Sequence, residues 1–322
     1  SMTESLETTA TPLNQLAVIE ISGADAASFL HGQFTHDIAQ LPPGLARVAG
    51  YCTAKGRLLA SLIIWRAPQS EPPAFHALVA KDIAETLVKR LSMFVLRAKA
   101  KLAATPLPVQ GIVLRRGQAA EAEQTLRRAG LAGASLPPNP PPYSVVHLPE
   151  ASCIAAPSAD AQTDRWWIVG KAGAAAQPGA EALWRAADIA AGLPWIVAAT
   201  QDTFIPQTLN LDLIDGVSFT KGCYPGQEVV ARSHYRGTIK RRMAHGLIEP
   251  APAQEPQPGT DIYDALRPDA PCGRVVNAAS TEKGCDLLLV VQLADLDSAD
   301  FRLQAADGAK IGVQSLPYSI VA

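Results

Sequence analysis

The longest apolar runs in this sequence, LLASLIIW at 58–65 and LLLVV at 287–291, reach only the length of buried strands. A helix crossing a bilayer needs about 20 such residues, so no membrane span and no membrane partner are expected. The chain must instead bury itself through many short elements, and 322 residues suggest two or three domains. With 48% hydrophobic and 18% charged residues the composition is globular, not disordered. A net charge of −2 argues against nucleic-acid or membrane binding by the whole surface and leaves room for a local patch. The polar start SMTESLETTATPLNQ lacks the basic and apolar segments of a secretory signal. The five cysteines, Cys52, Cys153, Cys223, Cys272 and Cys285, are odd in number and widely spaced, without a C-x-x-C or a histidine at zinc-ligand spacing. Free thiols in a reducing, cytoplasmic compartment and no metal site are expected.

Strand AVIEI (17–21) precedes a helix that Ser22 can cap, with Ala26, Phe29 and Leu30 on its buried face. Strands 46–53 and 57–65 flank Ala-Lys-Gly, a hairpin in which Gly56 takes the positive φ. From 75 to 148 the order is strand 75–80, helix 82–95, strands 98–104 and 110–115, helix 119–129, strand 143–148. That β-α-β-β-α-β order is ferredoxin-like, and Ile83, Leu87, Leu91 and Phe94 give its first helix an apolar face. LPPNPPP (136–142) reads as a rigid surface connection. Strand WWIVG (166–170) and a helix at 179–192, stopped by Gly192 and Pro194, follow. After about 243, short apolar runs between Pro, Gly and Asp predict a small antiparallel sandwich or barrel.

The chemistry concentrates in 217–245. Lys221, Arg232, Arg236, Lys240, Arg241 and Arg242 stand there against one acid, Glu228. Such a cluster grips carboxylates or phosphates, or is a solvated basic face. Within FTKGCYPGQEVVAR (219–232), Pro225-Gly226 reads as a turn and QEVVARSHY as a short helix starting there. Cys223 then lies near a helix N-terminus and within reach of Lys221, both of which favour a thiolate. An ordinary small buried thiol fits the spacing equally well. His234 is a weak base for a nucleophilic cysteine, and no Cys-His-Asn order accompanies it. Gln227 and Glu228 fall in the first helical turn, where a carboxylate meets the helix dipole favourably.

The stretch FTKGCYPGQEVVAR resembles the K-G-C-[YF]-x-G-Q-E signature of the YgfZ family of folate-binding proteins. FIPQTLNLDLIDGVSF (204–219), FLHGQFTHDI (29–38) and YCTAKGRLLASLIIW (51–65) resemble the same family, so the likeness runs from about 17 to about 245. It implies an α+β fold like that of the glycine-cleavage T-protein, three domains arranged as a clover around a central folate site. The expected division is 1–56 with 171–242 as a discontinuous folate-binding domain, 57–170 as a ferredoxin-like subdomain, and 243–322 as a small antiparallel β-barrel. The resemblance further implies tetrahydrofolate as cofactor and iron–sulfur proteins or their assembly machinery as partners. An iron–sulfur methylthiotransferase would connect it indirectly to tRNA modification.

Two departures weigh against aminomethyl transfer. The transferase branch carries a pattern resembling N-E-x-G-G-I-x-D-D-L, whose second aspartate is catalytic; laid on 53–62, its acids become Ala60 and Ser61. A pterin-holding glutamate in a G-x-x-G-[FY]-E pattern falls on Trp167. A serine hydroxyl cannot present the charge of a carboxylate to a folate amine. Folate binding without classical transferase chemistry is therefore the expectation, with Cys223 as functional thiol and Lys221 beside it. Trp195 and Tyr224, with Phe204, are candidate walls for the pterin, Asp202 a candidate partner for its amino groups, and Lys221 and Arg232 candidates for the glutamyl tail. His31 and His36 are expected to be surface or loop residues. A one-carbon transferase is the alternative, and a factor binding tRNA directly through RGTIKRR the third reading, against which stands a lack of interleaved aromatics.

Overall fold

The computed structural model describes residues 9–69, 71–237 and 239–320; the polar start at 1–8 lies outside the described residues. In chain order the first strands are β1 (Thr9–Pro12), β2 (Leu16–Ser22), β3 (Arg47–Cys52), β4 (Leu58–Arg66), β5 (Ala74–Ala80), β6 (Lys101–Thr105), β7 (Val109–Arg115), β8 (Val145–His147), β9 (Ser152–Ala156) and β10 (Thr163–Val169). They are followed by β11 (Arg241–Ile248), β12 (Asp261–Asp264), β13 (Gly273–Thr281), β14 (Gly284–Gln292), β15 (Phe301–Leu303) and β16 (Gly312–Gln314). The helices are α1 (Ala26–His31), α2 (Ala84–Ser92), α3 (Ala119–Arg128), α4 (Ala180–Ala190) and α5 (Gln227–Arg236). Two compact units result: Ser1–Gln33 with Asp37–Arg47 and Leu62–Trp184, and Phe34–His36 with Val48–Ser61 and Arg185–Ala322. The fold is mixed α+β and mostly sheet, and no described helix is long and apolar enough to cross a membrane.

In the first unit β7 and β10 form the middle of a sheet ordered β1-β7-β10-β9-β8. Every residue of β10 is buried, as suits a strand covered on both faces. Trp184 of α4 lies so close to β7 that a Cβ on Gly111 would sit 2.6 Å from its ring, which is why that strand position carries no side chain. Buried Arg165 stacks its guanidinium 4.1 Å from the Trp184 ring and donates to the carbonyls of Pro157 and Trp184. Trp167 is fully buried with its ring edge-on to Trp184 at 6.2 Å, so the position matched to a pterin-holding acid is here part of a core.

The β-α-β-β-α-β order is present along the chain, but its strands do not share one sheet, which corrects the ferredoxin-like reading. β5 and β6 flank β2 in a sheet ordered β3-β4-β5-β2-β6, whereas β7 and β8 belong to the other sheet. The physical reason is β2, whose Val18, Ile19 and Ile21 are all fully buried and which pairs along its length with β5 and with β6. It occupies the place that a β7 or β8 partner would need. α2 covers its sheet through Ala84, Leu87 and Leu91, while Phe94, expected on the same face, is exposed beyond the end of the helix.

The second unit contains a six-stranded antiparallel sheet, β15-β12-β13-β14-β11-β16, around a core of Leu287, Leu289, Val291, Val275, Ile262 and Phe301. The segment 309–311 bonds to β15 through Leu303 N to Ala309 O and Ile311 N to Phe301 O, and its continuation β16 pairs with β11. One segment thus links both edges and curls the sheet on itself, removing free edges as barrels do.

Candidate functional site

All of the site built around 217–236 lies in the second unit. Its base is Thr35, fully buried, whose hydroxyl donates to Gly216 O at 2.7 Å and accepts from Gly50 N at 2.8 Å. Thr35 O also receives Ser218 N, so one residue fixes the point at which the loop leaves the body of the unit. His36 Nε2 and Asp215 Oδ1, 3.0 Å apart, hold the turn beside it, giving His36 a structural partner. Ser218 Oγ then accepts the backbone N–H groups of Thr220 and Lys221, bending the chain into the loop.

The loop folds back along α5. Phe219 stacks on His234 at 3.6 Å between centroids and 11° between planes, and Tyr235 Oη donates to Phe219 O. At the other end Gly226 begins the helix with φ +81, and its N-terminal turn sits directly on the hairpin turn between β3 and β4. A Cβ on Gly226 would lie 2.5 Å from Gly56 Cα and 2.6 Å from Thr53 O, while one on Gly56 would lie 2.8 Å from Val229. Both glycines, with positive φ and touching backbones, are therefore required where Ala-Lys-Gly meets Pro-Gly.

Between these anchors Cys223 is exposed, unlike Cys52, Cys153 and Cys285, which are buried, and Cys272, which is half-buried. Burial pushes the thiols of Cys52 and Cys153 up to about 12, which keeps them protonated and inert. Next to Cys223, Tyr224 points inward and is buried; that burial, with Cys52 nearby, pushes its phenol well above the ordinary value. Lys221 Nζ sits 4.8 Å from the centre of the Tyr224 ring, a cation–π contact that fixes an ammonium two residues before the exposed thiol. Arg232 stands on the exposed side of α5.

The remaining candidates have other tasks. Asp202, with φ +57, accepts Arg57 Nε at 2.7 Å and its N–H bonds Leu58 O, which ties the 200–204 segment to the start of β4. Trp195 is half-buried; its indole N–H donates to Asp188 Oδ2 at 3.0 Å and its backbone is clasped by the Asn277 amide. Ser61, where a transferase aspartate would fall, is buried, and its hydroxyl donates to Pro194 O at 3.2 Å and accepts Ile196 N at 3.0 Å. It brackets Trp195 with its hydroxyl proton already committed to a backbone carbonyl. Arg242 leaves the basic cluster altogether: it is buried, forked onto Asp212 at 2.7 and 3.1 Å, and donates to Gln207 O. Its partner Asp212 lies before the basic stretch 217–245 in sequence. Aromatic rings do accompany the remaining cations, since Tyr235 is 72% exposed between Arg232 and Arg236.

The structure sets Lys221 against the Tyr224 ring, with Cys223 exposed between them in the chain, and leaves Asp202 and Trp195 engaged elsewhere in the unit. Thr35 and Arg57 escaped the sequence reading because their partners lie far along the chain, Gly216 for one and Asp202 for the other. Among the described residues no three of His, Cys, Asp and Glu are grouped to hold a metal ion.

No family model matches the chain. It is 32% identical over 310 residues to an uncharacterized protein of Haemophilus influenzae, covering 96% of this chain and 97% of that one. It is 31% identical over 323 residues to the tRNA-modifying protein YgfZ of Cronobacter sakazakii, covering 96% and 92%, and 31% identical over 339 residues to that of Serratia proteamaculans, covering 99% and 95%. Among solved structures, the glycine cleavage system aminomethyltransferase T from Bartonella henselae matches with a TM-score of 0.68 over 96% of this chain and 86% of that one, at 15% identity, a likeness of fold. With K-G-C-Y-x-G-Q-E on an anchored loop and identity of this extent along nearly the whole length, the chain belongs to the YgfZ family and has the aminomethyltransferase T fold.

Proposed function

We propose that the protein is a folate-binding accessory factor in tRNA modification, acting through assembly or repair of iron–sulfur enzymes, with Cys223 as its working thiol. The observation that carries this reading is the exposure of Cys223 on a loop anchored at both ends, two residues after a lysine held on the Tyr224 ring. An exposed, positioned thiol suits exchange with a partner's sulfur or iron. The names of the relatives supply the connection to tRNA, and their family and the shared fold supply the connection to folate. Aminomethyl transfer is disfavoured because Ser61 is locked between Pro194 and Ile196.

The residue chemistry fits a reduced folate in part. Lys221 and Arg232 offer cations for glutamyl carboxylates, and the half-exposed Trp195 ring offers a flat wall. Asp202 would have to exchange Arg57 for a pterin amino group. Bound folate would supply one-carbon or redox chemistry; the chain's own residues bind and orient it and present the thiol. Titration of the intrinsic fluorescence with tetrahydrofolate tests the first half of the proposal, and saturable binding without turnover of an aminomethyl donor is expected. Cys223→Ser, nearly isosteric and exposed, tests the second. Cells carrying only that variant should lose iron–sulfur-dependent tRNA modification while the purified variant still binds folate; full modification would sink the thiol's role.

A second reading, direct contact with tRNA, is favoured by Tyr235, whose exposed ring between Arg232 and Arg236 could stack on an unpaired base. Strongly salt-dependent tRNA binding, lost in Tyr235→Ala, would support it.

A further inference from the structure

Away from the cysteine loop, the second unit contains a concavity of about 290 Å³ lined by Thr203, Phe204, Thr208, Arg241, Arg274 and Val290. It opens on the sheet face opposite the barrel core, since Leu289 and Val291 point into that core and Val290 alternates with them. The strand register explains why two arginines meet there. Val290 on β14 pairs with Met243 on β11 and with Arg274 on β13, so Arg241, two residues before Met243, shares a face with Arg274 across β14. Two strand spacings and a two-residue step put their Cα atoms on the order of 12 Å apart, a gap that two arginine side chains can close around one group.

The charge balance of this concavity is one-sided. No acid lines it, and neither guanidinium has an ion-pair or side-chain hydrogen-bond partner among the described residues. That sets them apart from Arg57, Arg185, Arg242, Arg267 and Arg302 of the same unit, each paired to a carboxylate. Asp261 lies opposite Arg274 in the β12–β13 register without forming an ion pair to it. Thr203 spends its hydroxyl proton on Gln201 O, whereas the Thr208 hydroxyl has no partner among the described residues and adds a neutral donor.

We infer that this concavity is an anion subsite that binds a phosphate group between Arg241 and Arg274, with Thr208 as third donor. Two planar forks and a hydroxyl offer more donors than one carboxylate can accept and match the oxygens of a phosphate. The volume admits a phosphate or pyrophosphate, from a small phosphorylated molecule or from a polynucleotide backbone. The site does not depend on folate binding or on Cys223. It is tied to the neighbourhood of the loop by the backbone alone: Leu58 N donates to Phe204 O, and Leu58 follows the hairpin turn on which Gly226 rests.

Calorimetric titration of the full chain with inorganic pyrophosphate tests this. Removal of one guanidinium from a charge-assisted pair costs about ten- to a hundredfold in affinity. Arg241→Gln and Arg274→Gln should each weaken binding at least tenfold, and the double variant should abolish it. Arg97→Gln, an exposed arginine of the first unit, changes net charge equally and should leave binding unchanged. Both site arginines are exposed, so thermal melts of the variants should overlay the parent. Pyrophosphate binding that survives in the double variant, or falls equally in Arg97→Gln, overturns the proposal. Repeating the titration with a nucleoside 5′-phosphate and with tRNA identifies the source of the phosphate. A loss confined to the mononucleotide marks a small ligand, and a reduced salt slope for tRNA in the double variant marks a backbone phosphate.

Discussion

At the scale of single residues, two polar side chains are structural, one at the position matched to a transferase aspartate and one in the basic cluster. Ser61 is buried and bonds two backbone groups on either side of Trp195. Ser61→Ala leaves the Ile196 N–H without its partner and should cost about 1–3 kcal/mol, the usual penalty for an orphaned buried donor. Ser61→Asp, which would restore a transferase-like acid, buries a carboxylate against the Pro194 carbonyl and should destabilise more without creating aminomethyl transfer. Urea midpoints of both variants, with an aminomethyl-donor assay of the second, check this; activity in the aspartate variant would reverse the argument. Arg242 is the mirror case. Removing one partner of a buried ion pair is expensive because the other charge stays behind, so Arg242→Met should cost about 3–5 kcal/mol. Replacing Asp212 as well, with asparagine, should return part of that loss in a double-mutant cycle; simple additivity of the two substitutions would show that the pair is not coupled.

At the scale of elements, the cysteine loop is a short segment held by a stacked ring pair at one end and a glycine contact at the other. The turn at Pro225-Gly226 and the helix behind it were readable, because turn residues and helix-start signals act locally. The positive φ of Gly56 was readable for the same reason. What could not be read was the contact of these two turns, since Gly56 and Gly226 lie 170 residues apart in number and nothing in either motif names the other. Gly226→Ala tests the contact. Positive φ alone costs a non-glycine residue about 1 kcal/mol, and the added methyl meets backbone that cannot rotate away, so a loss of about 2 kcal/mol or more is expected. The loop should loosen with it, so the exposed Cys223 should react with a bulky maleimide at a changed rate; a stability equal to that of the parent would show that the turns do not press on each other.

At the scale of the whole chain, strand and helix existence was largely legible, and the assignment of strands to sheets was not. Periodicity reports which face of a strand is buried but not its neighbour, and β2, distant in sequence, displaces the pairing that β-α-β-β-α-β order suggests. Both units also bury a cysteine that the sequence marked only as a free thiol, Cys153 in the first and Cys52 in the second. Burial raises each from an ordinary 9.0 to about 12, and it raises Tyr318, whose hydroxyl donates to Gly192 O, from 10.0 to about 12. Below pH 9 these groups are neutral in the folded and unfolded chain and stability is whole. Between 9 and 12 the unfolded chain gives up protons that the native state keeps, so stability falls by about 1.4 kcal/mol per pH unit for each thiol and vanishes as a contribution above 12. Raising the pH from 8 to 10 should therefore cost about 3 kcal/mol through the two thiols together, with Tyr318 joining above 10. Urea melts across that range check it, with Cys52→Ala and Cys153→Ala compared against the parent so that lysine titration common to all cancels. Each substitution should lower the midpoint at pH 8 through its cavity and flatten its pH dependence; equal slopes in parent and double variant would show that these thiols ionise in the folded protein as they do in water.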